Sequence, residues 1–197
     1  SEASEALGYD LWQLVSQGPA EKLGLTEYTQ PAILTASVAL FRAFTEANAF
    51  QLVAGAGHSL GEYSALVSAG TLSLADGVRL VQQRGAAMQD AVPVGVGAMA
   101  VVMGLDDDAV TDTCNGVSTA DSFVGGVNFN APGQVVIAGH SAAVDAALAA
   151  LKDAGARRAM PLPVSAPFHT PLMQPAAEVM QQAFEDVSWS TPQFPVV

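Results

Sequence analysis

The sequence predicts an α/β fold in two parts, and three observations carry that reading. Residues 1–92 are dominated by helical rhythm. Residues 95–163 alternate strand-like and helix-like patterns in the order β-α-β-β-α-β, which is the ferredoxin-like arrangement. Prolines bracket that stretch, with Pro93 before it, Pro161 and Pro163 at its end and Pro167 after it. The expected organisation is therefore a ferredoxin-like subdomain at 95–163, inserted into a larger core made of 1–94 and 164–197.

The elements follow in order. An amphipathic piece at 9–16 stops at Gly18-Pro19, a strong breaker pair. Residues 29–47 carry Ile33, Leu34, Val38, Phe41 and Phe44 at helical spacing. Residues 51–56 are apolar and of strand length, and they run into Gly57-His58-Ser59-Leu60-Gly61. A helix resumes over 62–69, and another covers 74–91. After a turn at 93–97 come a strand at 98–103 and a helix at 106–114, whose opening Asp106, Asp107 and Asp108 can cap free N–H groups. Strands at 123–129 and 134–138 flank a turn holding Asn130, Pro132 and Gly133. Ser141 is the expected cap of a helix at 142–154 that ends at Gly155, and 157–163 returns as a strand. The closing Pro195-Val196-Val197 reads as the start of a further strand, so the chain is expected to be truncated at both ends.

Composition narrows the function. The chain has 197 residues, 50% hydrophobic and 13% charged, which excludes a disordered tail or a coiled coil. No run reaches the roughly 18 apolar residues of a membrane span. The single cysteine, Cys114, excludes an internal disulfide or a cysteine-based zinc site and fits a reducing, cytoplasmic compartment. A net charge of −12 with seven basic residues argues against nucleic-acid binding.

Gly57-His58-Ser59-Leu60-Gly61 is a G-x-S-x-G sequence between a strand pattern and a helix pattern. Such a turn holds its serine in a strained conformation that projects the hydroxyl outward, and the following helix aims its N-terminus at the site. Ser59 is thus the candidate nucleophile, and the Leu60 N–H the candidate oxyanion donor. A dinucleotide-binding reading of Gly55-Ala56-Gly57-His58-Ser59-Leu60 fails because Leu60 stands where the third glycine belongs. No cofactor and no metal is expected.

A serine hydroxyl needs a base. His58 adjoins Ser59, where consecutive side chains diverge. His140 opens a helix and reads as a surface residue near its cap. His169 lies in Pro167-Phe168-His169-Thr170-Pro171, a proline-locked loop, and is the candidate base. No acid between Ser59 and His169 has the setting of a third triad member. On a helical projection at roughly 100° per residue, Arg84 falls among Leu74, Val78, Leu80, Val81, Met88 and Val92. An arginine on an apolar face needs an anion. Either a buried salt bridge, with Glu62 for example, or a bidentate clamp on a substrate carboxylate would supply one.

With these residues assembled, the chain resembles the malonyl-CoA:acyl carrier protein transacylases of bacterial fatty acid synthesis. The likeness rests on Gly57-His58-Ser59-Leu60-Gly61-Glu62-Tyr63-Ser64-Ala65, on Gln83-Arg84-Gly85, and on Val127-Asn128-Phe129-Asn130-Ala131-Pro132-Gly133-Gln134-Val135-Val136-Ile137-Ala138-Gly139. The resemblance implies an α/β-hydrolase-like core with the inserted ferredoxin-like subdomain. It implies Ser59 as the acylated nucleophile, His169 as its base, Leu60 as one oxyanion donor and Arg84 as the grip on the malonyl carboxylate. Phe168 is compatible with malonyl, and Asn130 is placed near the substrate entrance. The family's glycine-glutamine loop would precede Ser1, and the glutamine that orients its histidine would follow Val197. The implied partners are malonyl-CoA and acyl carrier protein, with Lys152, Arg157 and Arg158 as candidate docking charges and no role for nucleic acid or membrane. A serine esterase or thioesterase, or a non-catalytic binding module, are the competing readings.

Overall fold

A computed structural model describes residues 1–49, 51–164 and 166–197. The fold is α/β with a small antiparallel sheet. The chain divides into two compact units, Ser1–Ala87 with Glu178–Val197, and Met88–Ala177.

The helices are α1 (Glu2–Leu7), α2 (Leu11–Gln17), α3 (Ala20–Leu23), α4 (Thr26–Ala47), α5 (Leu60–Ser68), α6 (Leu74–Asp90), α7 (Asp107–Val117), α8 (Ser141–Asp153) and α9 (Gln174–Glu185). The strands are β1 (Gly97–Met103), β2 (Val124–Ala131), β3 (Gln134–His140) and β4 (Arg158–Pro161). Among the described residues no helix is long and apolar enough to cross a membrane.

In the first unit, Leu34 and Val38 of α4 pack with Val67 of α5, Val78 and Val81 of α6, and Met180 and Ala183 of α9. Asp10 caps α2 by accepting from the Gln13 N–H at 3.0 Å, and Gly18 ends that helix at φ 80°. Helix α4 begins at Thr26, three residues before the start its rhythm predicts, so Pro31 falls inside the helix and not at its opening. There Pro31 leaves one carbonyl of the preceding turn without its helical partner. The strand expected over 51–56 is reduced to a single parallel bridge between Gly55 and Val196. Gly55 donates to the Pro195 carbonyl at 2.8 Å and accepts from the Val197 N–H at 2.9 Å. Pro195 has no N–H to extend that ladder, which confines the pairing.

In the second unit the order β1-α7-β2-β3-α8-β4 folds into a four-stranded sheet arranged β2-β3-β1-β4. Its paired neighbours are antiparallel, with Val101 opposite Val136 and Met160. The two-residue strand period divides the side chains cleanly. Ala100, Val102, Val135 and Ile137 face Val110 and Cys114 of α7 and Val144, Ala147, Leu148 and Leu151 of α8. Met99, Val136 and Ala138 face the other way and meet Val127, Leu162 and Phe168.

Asp106 caps α7 as expected, accepting from the Ala109 N–H at 2.7 Å. Ser141 does not cap α8. Its hydroxyl donates instead to the Gly95 carbonyl at 2.8 Å, its N–H donates to Val96, and His140 takes the cap position. Asn130 lies on β2, not in the hairpin turn, because a register shift between Phe129 and Ala131 carries the strand to Ala131. The turn is Pro132-Gly133, with Gly133 at φ 73°, the pairing a type II turn requires.

Candidate active site

The serine turn is built by a close approach of backbone to backbone. A Cβ on Gly57 would overlap the Gly61 carbonyl and the Glu62 nitrogen, so position 57 accepts only glycine. Gly61 supplies the backbone that fills this space, and its own Cβ position is open. Of the two flanking glycines, only Gly57 is required by space around its own Cβ. The Gly61 N–H donates to the His58 carbonyl at 2.9 Å and the Glu62 N–H to the Ser59 carbonyl at 3.2 Å.

Between them Ser59 is held at φ 55°, ψ −112°, a conformation that costs a non-glycine residue roughly 1–3 kcal/mol. The strain predicted from the motif is present. Helix α5 starts at Leu60, two residues earlier than its periodicity indicates. The Leu60 N–H is the first of that helix and has no intrahelical acceptor.

Arg84 of α6 reaches this turn. Its Nη2 donates to Ser59 Oγ at 3.0 Å, and its Nη1 donates to Gln30 Oε1 at 2.7 Å. Gln30 is only 5% exposed and donates through Nε2 to Thr26 Oγ1 at 2.9 Å. Helix α4 comes close enough for this because position 85 lacks a side chain. A Cβ on Gly85 would stand 2.6 Å from the Glu27 nitrogen and Cα and from the Thr26 oxygen. The salt bridge to Glu62 considered from sequence does not form, since Glu62 is exposed and Arg84 enters no ion pair among the described residues. Burial lowers the pKa of Arg84, while Tyr63 and Glu62 act to raise it. An arginine remains a cation through such a shift.

Gln30 was missed from the sequence. The available signal was a polar side chain in line with Leu34 and Val38 at four-residue spacing, the same kind of anomaly that singles out Arg84.

The remaining predicted residues belong to the second unit. His169 is exposed and held at φ 63°, unusual for a non-glycine residue. Its loop is pinned by the Thr170 hydroxyl donating to the Pro167 carbonyl at 2.7 Å and the Phe168 N–H donating to Ala166 at 3.0 Å. Phe168 packs on Met99, Val136 and Ala138 of the sheet. Asn130 is exposed beside Phe129, Pro132 and the Asp106 to Asp108 run. His140 has a structural task, its Nδ1 accepting from the Phe123 N–H at 2.9 Å. The structure thus brings together Ser59, Leu60, Arg84 and Gln30 in one unit, and Phe168 and His169 in one loop of the other.

Known proteins are similar to this chain in sequence and fold. Over 197 residues the chain is 55% identical to the malonyl CoA-acyl carrier protein transacylase of Escherichia coli strain K12, covering 100% of this chain and 63% of that protein. The malonyl CoA-acyl carrier protein transacylase structure from Coxiella burnetii superposes with a TM-score of 0.97 at 47% identity, covering 100% of this chain and 62% of that one. A structure of a type II PKS acyl-carrier protein in complex with its malonyl-transacylase holds a chain matching at TM-score 0.96 and 52% identity, over 100% of this chain and 63% of that one. The chain therefore spans somewhat under two thirds of the length of these relatives. The acyl transferase domain family matches residues 2–197, which is nearly every position, and the chain belongs to that family.

Proposed function

We propose that this protein moves a malonyl group from coenzyme A to the phosphopantetheine thiol of acyl carrier protein. In this reading Ser59 Oγ attacks the thioester carbonyl while His169 takes the hydroxyl proton. The carbon–sulfur bond breaks, and coenzyme A leaves as a thiol with that proton. The carrier-protein thiol then attacks the malonyl-serine ester, its proton passing through His169 back to Ser59. The Leu60 N–H stabilises the oxyanion of both tetrahedral intermediates. Phe168 and Asn130 line the path of the acyl group.

The observation that carries the reading is the guanidinium at the serine. Arg84 is partly buried and held by neutral oxygens, with no carboxylate paired to it among the described residues. A substrate carboxylate would pair with this charge, whereas a neutral acetyl group would bring no anion to it. The names of the relatives support the same substrates.

The antiparallel order β2-β3-β1-β4 supports a ferredoxin-like subdomain at 95–163, within an α/β-hydrolase-like core formed by 1–94 and 164–197. The buried free thiol of Cys114 supports a cytoplasmic setting.

Intact-protein mass spectrometry of the full-length protein, after brief exposure to malonyl-CoA or acetyl-CoA, tests the proposal. A malonyl adduct is expected that Ser59→Ala abolishes and acyl carrier protein removes. Rapid release of free malonate would identify a hydrolase instead, and no adduct at all would leave a binding module.

A further inference from the structure

Arg84 donates to two oxygens and lies over an aromatic ring. Its Cζ lies 5.8 Å from the centroid of Tyr63, inside the range of a cation–π interaction. Tyr63 follows Ser59 by four residues on α5. Its ring is backed by Phe184 of α9 at 6.4 Å, and Phe184 by Trp189 at 5.8 Å in an edge-on contact. The Trp189 indole N–H donates to the Phe184 carbonyl at 3.1 Å, which fixes the far end of the row. Three aromatic side chains thus stand one behind another and end on the guanidinium.

This choice of partner has a chemical consequence. A carboxylate in place of the ring would neutralise Arg84 and occupy the N–H donors that an incoming anion needs. A ring compensates charge through its face and leaves the in-plane donors available. Burial pushes the Tyr63 phenol up despite Arg84 beside it, so the ring meets the cation as a neutral quadrupole and not as a phenolate.

We propose that Tyr63 is a positioning residue for acyl selectivity. Its ring holds the Arg84 guanidinium in the orientation that takes a carboxylate edge-on, and so favours carboxylated acyl groups over neutral ones. This rests on the reading of Arg84 as the carboxylate grip.

The test uses the full-length protein with residue 63 replaced by phenylalanine, 3,5-difluorophenylalanine or 3,4,5-trifluorophenylalanine, together with Tyr63→Leu. Fluorine drains the ring face with little change in volume, so the series separates electrostatics from packing even where the leucine variant folds poorly. KM and kcat for malonyl-CoA are measured, along with the ratio of malonyl to acetyl adduct on Ser59. Tyr63→Phe keeps the ratio within about twofold of the parent. Successive fluorination lowers it in steps to a total of about three- to tenfold, through KM and not kcat. A ratio that stays flat across the series, or a loss shared equally by malonyl and acetyl transfer, would overturn the proposal. If the parent itself formed no malonyl-Ser59 adduct, the transferase reading would fall first and this inference with it.

Discussion

The Arg84 Nη2 donates to Ser59 Oγ at 3.0 Å while its Nη1 is engaged by Gln30 at 2.7 Å. The serine oxygen therefore accepts from a cation, which stabilises negative charge developing on it. A substrate carboxylate and Ser59 Oγ would draw on the same guanidinium edge, so binding the acyl group and releasing the serine oxygen become linked events.

Arg84→Ala should reduce malonyl-adduct formation far more than acetyl-adduct formation, by about 2 kcal/mol or more in malonyl kcat/KM. Arg84→Lys should not restore it, because one ammonium cannot span Gln30, Ser59 and a bidentate carboxylate. Gln30→Leu should cost about 1.5–3 kcal/mol through loss of a hydrogen bond to a charged group, seen as a raised KM for malonyl-CoA. Steady-state kinetics of the full-length variants checks all three.

Two glycine substitutions should fail for different reasons. Gly57→Ala forces a methyl group into the Gly61 backbone and should abolish the Ser59 adduct outright. Gly85→Ala wedges α4 from α6 at Thr26 and Glu27, costing about 1–3 kcal/mol of stability, and withdraws Gln30 from Arg84. Urea melts alongside malonyl-CoA kinetics should show the second variant folded but less selective.

Alkaline pH should destabilise the fold through Cys114. The thiol is fully buried and burial pushes its pKa from 9.0 up to about 11. The folded state holds this proton more tightly than the unfolded chain does. The stabilisation is therefore complete below pH 9 and lost as the pH rises toward 11, up to about 2–3 kcal/mol. Tyr9, pushed up to about 12 chiefly by burial, acts in the same direction at higher pH. Denaturant melts from pH 8 to 11 should slope downward in the parent, and the slope should flatten in Cys114→Ala.

Lys152, Arg157 and Arg158 are exposed near the end of α8 and the start of β4, and none enters an ion pair among the described residues. On a chain of net charge −12 we propose them as the docking charges for an acidic carrier protein. Reversing all three should weaken acyl carrier protein binding at low salt, by titration calorimetry, and leave serine acylation by malonyl-CoA intact. Unchanged affinity would remove this surface.

What the sequence determined by itself were the features carried by local pattern. The short apolar runs of β1 and β3, the Asp106 cap and the Gly18 stop each depend on a few neighbouring residues. The strain at Ser59 follows the same rule, because glycine spacing and the start of a helix enforce it within five positions. Arg84 was visible as a charge on an apolar helical face, and that anomaly needs only a helical projection. The tertiary structure alone decided what such groups meet. Glu62 was one partner the sequence offered Arg84, yet the guanidinium donates to Gln30, 54 positions away, because Gly85 lets α4 lie against α6. Tyr63, over whose ring Arg84 lies, is backed by Phe184 of α9 and by Trp189 beyond that helix. The strand expected over 51–56 depended on a partner, and hydrophobic pattern carries no record of how many strands will pair with it. Side-chain period is local, whereas the identity of a buried charge's neighbour depends on how distant helices approach one another.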